Sequence, residues 1–176
     1  MHGIGVHVAV IRENEVLLIQ RKDFEVWGLP SGEIEAGETP AQAAIRETLE
    51  ETGLTVQLTR LVGLYTIPQM PLGNKTNAVF AAEIVSGRLE NTTDETLNAA
   101  FFTLEALPES LIWWSRQRII DALTGIGGSA VRTQNVHMPA GNLSRQELYR
   151  QRDDSGLSPV DFFQNTFPKE SETTDI

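Results

Sequence analysis

Glu47, Glu50 and Glu51 are spaced i, i+3 and i+4 inside the stretch Gly32 to Leu54. On a helix that spacing makes them neighbours on one surface. Three like charges there repel, and no cationic residue stands at the same spacing to relieve them. A hard cation bound through oxygen relieves that repulsion, and Mg²⁺ takes carboxylates of this kind alongside substrate phosphates. Arg46 adjoins the patch and can fix the orientation of a carboxylate through a bidentate pair. Alone, a Glu-x-x-Glu-Glu triplet is usually a solvated helix face. Here it comes with Arg46, a glycine stop and a glycine-bearing loop at fixed distances.

The element that must position these acids is a helix over about Pro40 to Thr52. Thr39 suits the N-cap, Gln42 completes a capping box with it, and Pro40 suits the first helical position. Gly53 supplies the C-terminal stop. At about 100° per residue, Ala41, Ala44, Ile45, Thr48, Leu49 and Thr52 share the face expected to pack.

Gly32, five residues, Glu38, seven residues, then Arg46-Glu47-Thr48-Leu49-Glu50-Glu51-Thr52-Gly53-Leu54 resembles the box of the Nudix hydrolase family. Thr48 stands at a position that is aliphatic in that pattern, and its methyl can still pack. Val26-Trp27-Gly28-Leu29-Pro30-Ser31-Gly32 is similar to the Trp-x-x-Pro-x-Gly lead-in that commonly precedes the box, with Ser31 where relatives often carry Gly. The resemblance implies the Nudix fold, an α/β/α sandwich around a mixed β-sheet, for about residues 3 to 124.

The chain has 176 residues, no Cys, three scattered His (His2, His7, His137) and a formal net charge of −10. Disulfides and Cys-ligated zinc are excluded. The negative charge disfavours binding along a nucleic-acid backbone, which needs a basic excess to release counterions. A small nucleotide is still allowed, because a metal and a few Arg or Lys can meet its charge. No segment has the length of a transmembrane helix and no leader pattern is visible, so a cytoplasmic protein with no membrane partner is expected.

The strands are expected at Ile4–Ile11, Glu15–Arg21, Leu54–Tyr65, Asn77–Val85 and Ala99–Thr103. Arg12-Glu13-Asn14 turns the first hairpin, and His7 reads as a sheet residue. Thr66 to Thr76 carries two prolines and Gly73 and reads as a loop, a lid or substrate rim. A second helix is expected over about Ser110 to Leu123, with Trp113, Trp114, Ile119, Ile120 and Leu123 as core anchors. The domain of residues 1–125 is then followed by an extension of residues 126–176. In it Ser144 to Asp153 and a segment opened by Ser158-Pro159 read as two short helices, and Lys169 to Ile176 as a disordered end. Two short helices cannot bury Phe162, Phe163 and Phe167 alone. The expected partners are the main domain or a second copy of the chain in a homodimer.

The resemblance implies a Nudix-type pyrophosphohydrolase that uses Mg²⁺, with Mn²⁺ as a substitute. It assigns Glu47, Glu50 and Glu51 to metal, with Glu47 as ligand or general base oriented by Arg46. The Ser31 carbonyl is a further metal donor, and Glu38, Gly32 and Gly53 shape the motif. Glu95, in the loop before the late strand, is the candidate fourth acid. Arg21, Trp27 and Tyr65 are candidate substrate contacts. Three substrate types remain open: a nucleoside diphosphate sugar or ADP-ribose, a modified nucleoside triphosphate, and a dinucleoside polyphosphate or cofactor such as NADH. The longer box of the ADP-ribose branch and the zinc ligands of NADH-type enzymes are not evident. The alternative is a catalytically weak nucleotide sensor, against which the intact acid set argues. Its DNA-binding form would need a basic helix-turn-helix, and Arg145, Arg150 and Arg152 alone do not make one.

Overall fold

Val6, Val8 and Val10 face one side of the first strand and Ala9 the other, and each side meets its own buried cluster. That alternation is the period of a strand buried on both faces. The computed structural model describes residues 4–68, 76–128, 130–136, 143–169 and 173–175. Its strands are β1 (Ile4–Arg12), β2 (Glu15–Arg21), β3 (Trp27–Gly28), β4 (Ser31–Glu33), β5 (Leu54–Thr66), β6 (Thr76–Gly87), β7 (Thr96–Thr103), β8 (Ala130–Gln134) and β9 (Thr173–Asp175). The α-helices are α1 (Pro40–Thr52), α2 (Ser115–Leu123), α3 (Arg145–Asp154) and α4 (Pro159–Thr166).

The sheet runs β3-β2-β1-β6-β5-β8-β9, with β4 also on β1 and β7 also on β2. It is mixed, since β1–β6 and β5–β8 are parallel while β1–β2, β2–β7 and β5–β6 are antiparallel. The β1–β2 hairpin pairs only at its closed end, Ile11 with Val16 and Arg12 with Glu15. Beyond that the strands part. β1 takes β6 and β4, and β2 takes β7 and β3. The parting leaves a cleft between His7 on β1 and Arg21 on β2, and both side chains line it.

Ala43 and Ala44 of α1 pack on Val6, Val8, Val10, Leu17 and Ile19 on one face of the sheet. Ile119 and Ala122 of α2 pack on Ala9, Val16, Leu18, Trp27 and Tyr65 on the other. The α/β/α sandwich is therefore present. A third cluster joins Phe24, Val26, Ile67 and Trp114 to Val136, Leu148, Phe162, Phe163 and Phe167. The aromatics of the C-terminal helices are thus buried against the main domain of the same chain.

Several expectations need correction. On α1, Ala44, Thr48 and Thr52 are buried as expected, but Ala43 and Glu51 join them, while Ala41, Ile45 and Leu49 are exposed. The helix is turned so that Glu51 faces inward. α2 begins at Ser115 and not near Ser110, because Leu111 bridges to Trp27 and the chain turns at Trp113 and Trp114. β7 starts at Thr96, directly after Glu95. β8 and β9 were not expected: the segment after Gly128 returns to the sheet beside β5, and Thr173–Asp175 pairs with β8 where disorder was expected. The loop expected at Thr66 to Thr76 lies largely outside the described residues, in 69–75, as do His2 and His137.

Candidate active site

The loop before α1 is tied to the helix by one guanidinium. Arg46 Nε and Nη2 donate to Glu38 Oε1 and Oε2 at 3.0 and 2.9 Å, and Nη2 also donates to the Glu33 carbonyl at 3.0 Å. Its Nη1 donates to Glu47 Oε1 at 2.8 Å and Glu50 Oε2 at 3.1 Å. A planar fork with five N–H groups suits this multiple role, and a lysine does not. Arg46 therefore relieves two of the three helix acids directly, and since Glu50 stands at i+4 from it, the expectation that no cation lay at helical spacing from the acids is corrected. The helix start carries the expected capping box, with the Gln42 amide donating to Thr39 Oγ1 and the Thr39 amide donating to Gln42 Oε1. Its end is the left-handed Gly53 at φ 71°, whose amide donates to the Leu49 carbonyl.

Gly32 has a different reason for being glycine. A Cβ there would lie 2.0 Å from the Glu47 carboxyl carbon and from its Oε1. β4 passes so close to α1 that only a hydrogen leaves room for the Glu47 carboxylate. One residue earlier, the Ser31 amide donates to Glu51 Oε2 at 2.8 Å. Ser31 pairs with His7 across the β4–β1 ladder. The amide and carbonyl of one strand residue share a side, so the Ser31 carbonyl also turns from β1 toward the acids.

Glu51 is 3 % exposed, and its backbone carbonyl accepts from Thr96 Oγ1 at 3.0 Å. That bond ties α1 to β7 and brings the segment before β7 over the acids. Glu47, Glu50, Glu51, Asp94 and Glu95 consequently share one hollow of about 490 Å³. Burial pushes the Glu51 carboxyl up to about 8, reinforced by Glu47 and Glu95 and opposed by the Ser31 amide and Arg21. Burial also raises Glu47, with Arg46 opposing it and Glu50 and Glu95 adding to it.

The donors in this hollow are carboxylate oxygens, which suit Mg²⁺ or Mn²⁺ and not a soft metal. Among the described residues no three acid or imidazole side chains already converge as a closed cage. Arg46 holds an oxygen each of Glu47 and Glu50, and the Ser31 amide holds one of Glu51. Each of these carboxylates has a second oxygen to offer a cation. In donor chemistry and position the residues fit the metal that the box implies.

Beside the hollow lies an inner pocket of about 210 Å³, lined among others by His7, Arg21, Asn77, Trp114 and Arg118. Arg118 is fully buried. Its guanidinium donates to Gln134 Oε1 at 2.9 and 3.1 Å, and its Nη1 is 3.1 Å from His7 Nε2. Burial brings Arg118 down to about 10, so it is still a cation at neutral pH. Arginine has no acceptor, so His7 Nε2 must accept and the ring proton must be on Nδ1. Burial, then Arg118, lowers His7 well below its ordinary value, which keeps it in this neutral form. Its Nδ1 is buried with no hydrogen-bond partner among the described residues. The pocket is thus lined by a buried cation and a neutral imidazole.

Two expected substrate contacts are elsewhere. Trp27 is in the core, 9 % exposed, with its ring edge-on to Phe102 at 5.0 Å. Tyr65 is fully buried, and its hydroxyl donates to Asp121 Oδ2 at 2.6 Å. An aromatic at a strand end reads the same whether it lines a rim or faces inward, and here the sheet turns both inward. Arg21 does line the site, held by a bidentate pair to Asp23 at 3.0 and 2.7 Å. The sequence reading missed Asp23, Asn77, Arg118 and the pocket face of His7. The available signal was polar residues interrupting apolar strands and a cation in an apolar helix, which does not single out a pocket.

The sequence model of the NUDIX domain matches residues 1–123. A MutT-like protein of Streptomyces ambofaciens is 32 % identical over 146 residues, covering 80 % of this chain and 90 % of that protein. An ADP-ribose pyrophosphatase of Methanocaldococcus jannaschii is 36 % identical over 111 residues, covering 61 % of this chain and 65 % of that protein. Among solved structures, an ADP-ribose pyrophosphatase from Streptococcus suis superposes with a TM-score of 0.62 at 22 % identity, over 76 % of this chain and 98 % of that one, a likeness of fold. The chain belongs to the NUDIX family. It is a Nudix-type hydrolase whose box is the loop and helix from Gly32 to Leu54.

Proposed function

We propose that the chain hydrolyses the pyrophosphate bond of a nucleoside diphosphate linked to another group, with Mg²⁺ or Mn²⁺ held by Glu47, Glu50, Glu51, Glu95 and the Ser31 carbonyl. The observation that carries this reading is the meeting of Glu47, Glu50, Glu51 and Glu95 in one hollow beside a pocket lined by Arg21 and Arg118. The relative from M. jannaschii, an ADP-ribose pyrophosphatase by name, supports a substrate of this class. A bound divalent cation neutralises phosphate oxygens and lowers the pKa of a water it holds.

The chain's own residues do the rest. Arg46 fixes the carboxylates of Glu38, Glu47 and Glu50 in one arrangement before substrate arrives, which removes that ordering cost from the reaction. Glu47 is ligand or proton acceptor, and its raised pKa suits the second role. Arg21 stands between the acids and the inner pocket, where a phosphate must pass. The expected partner is a small nucleotide. With its aromatics buried within one chain, the extension leaves this reading without need of a second copy.

The test is phosphate release from a panel of nucleotides with and without Mg²⁺, beside Glu51→Gln. Turnover that needs the cation and Glu51 supports the reading. Ligand binding without turnover of any substrate would favour a sensor. A second variant probes the packing of β4 on the helix. Gly32→Ala must displace the Glu47 carboxylate, and a misplacement of about 1 Å costs on the order of a hundredfold in kcat. Gly32 is in a short edge segment, so the melting temperature should move little. Unchanged kcat in Gly32→Ala would remove Glu47 from the chemistry.

A further inference from the structure

Arg21 and Arg145 line the same three hollows: the inner pocket, the space beside Glu51 and Glu95, and the cleft along Ser31, Glu47 and Glu50. Arg21 comes from β2 and Arg145 from the first turn of α3, beyond the residues that the family's sequence model matches. The charge of Arg21 is largely met by Asp23. The guanidinium of Arg145 has no ion pair and no hydrogen bond among the described residues, and it is exposed to the solvent that fills the hollows. The acids Glu47, Glu50, Glu51 and Glu95 line the same hollows as Arg145.

The place of α3 is fixed by packing that owes nothing to Arg145. A capping box between Ser144 and Glu147 sets its first turn. Leu148 is buried with Phe24, Phe162 and Phe163. Tyr149 donates its hydroxyl to Asp23 Oδ2 at 3.3 Å, and Arg152 donates to the Asp23 carbonyl. The helix is therefore docked on the loop that also holds Arg21, and the docking leaves Arg145 pointed at the hollows with its charge unspent. A phosphate placed between the acids and the inner pocket is the anion that fits there.

We propose that α3 is a wall of the substrate site and that Arg145 contacts a phosphate of the bound nucleotide. This rests on the reading that a nucleotide pyrophosphate occupies the hollow. Arg145 is then a substrate-binding residue from outside the residues that the family's sequence model matches.

The test uses the full chain. Arg145→Ala should raise KM by about tenfold or more while kcat changes little, because a charge-assisted hydrogen bond to a phosphate is lost. Arg145→Lys should recover part of that loss. Arg150→Ala removes the same charge from an exposed position of α3 that lines none of the three hollows, and should leave KM within about twofold of wild type. Unchanged KM in Arg145→Ala overturns the proposal, as does an equal rise in Arg150→Ala. If the wild type hydrolyses no nucleotide, the functional reading fails by itself. Calorimetry with ADP then decides this proposal: binding weakened about tenfold in Arg145→Ala supports it. Equal binding, or none to either protein, overturns it.

Discussion

Glu51→Gln should leave the protein folded and lower kcat on the order of a thousandfold for any nucleotide that the wild type hydrolyses. The amide oxygen of Gln can still accept from the Ser31 amide, so the contact between β4 and α1 survives. What is lost is the anionic oxygen at the centre of the hollow. The same variant should shift stability in a way that depends on pH. In the metal-free fold, burial raises the Glu51 carboxyl from 4.5 to about 8. The unfolded chain releases that proton near pH 4.5 and the folded chain keeps it to about pH 8. Between those values the folded state binds the extra proton, so its contribution to stability is full below about pH 4.5 and is lost as pH rises to 8. A tenfold change in proton affinity corresponds to about 1.4 kcal/mol, so the effect is a few kcal/mol. Urea midpoints in a chelator should fall from about pH 5 to about pH 8 in the wild type and fall less in Glu51→Gln. Mg²⁺ should restore the wild type at the upper end of that range, because a cation supplies the counter-charge that burial withholds. Parallel profiles for the two proteins would mean that Glu51 is not a strained acid, and its place at the centre of the site would go with it.

That strain is also why the sequence could show the site and not its arrangement. Thr39, Pro40, Gln42 and Gly53 act within a few residues of themselves, so the bounds of α1 follow from local chemistry. The facing of α1 does not. Periodicity put Ile45 and Leu49 inward because they are apolar, yet the sheet takes Ala43, Ala44 and Glu51. A small side chain lets the helix approach β1 and β4 closely, and that approach buries the acid. The gain from burying a leucine loses to the geometry of the whole layer. The same limit applies to β8. Ala130 to Gln134 is short, and it becomes a strand by pairing with the edge of β5 and with β9. α3 was legible as a capped helix from Ser144 and Glu147. Its position against Asp23 depends on Leu148, Phe162 and Phe163 finding Phe24, a contact that no spacing rule contains.

Tyr65 is where a plausible rim residue turned out to be a structural one, and the difference is measurable. Asp121 of α2 accepts from Tyr65 of β5, from Gln117 at 2.9 Å and from Arg132 of β8 at 2.6 and 2.9 Å. One carboxylate thus fastens a helix to two neighbouring strands on the face away from α1. Asp121→Ala removes the acceptor shared by the buried Tyr65 hydroxyl, Gln117 and the part-buried Arg132, at a cost of about 2–3 kcal/mol. For a chain of this size that is a fall in melting temperature of roughly 10 °C. Tyr65→Phe removes one hydrogen bond and should cost about 1–2 kcal/mol. Neither change should alter KM at temperatures where the variants are folded, since Tyr65 lines none of the hollows described above. The sign with pH is opposite to that of Glu51. Burial alone would raise Asp121, but the hydrogen bonds from Arg132, Tyr65 and Gln117 outweigh it and hold the carboxyl below its ordinary value. Its stabilisation is therefore present above the unfolded value of 3.8 and is lost as pH falls through the folded one. Asp121→Asn should accordingly match the wild type most closely in strong acid. A raised KM in Tyr65→Phe with an unchanged melting temperature would return Tyr65 to the substrate rim.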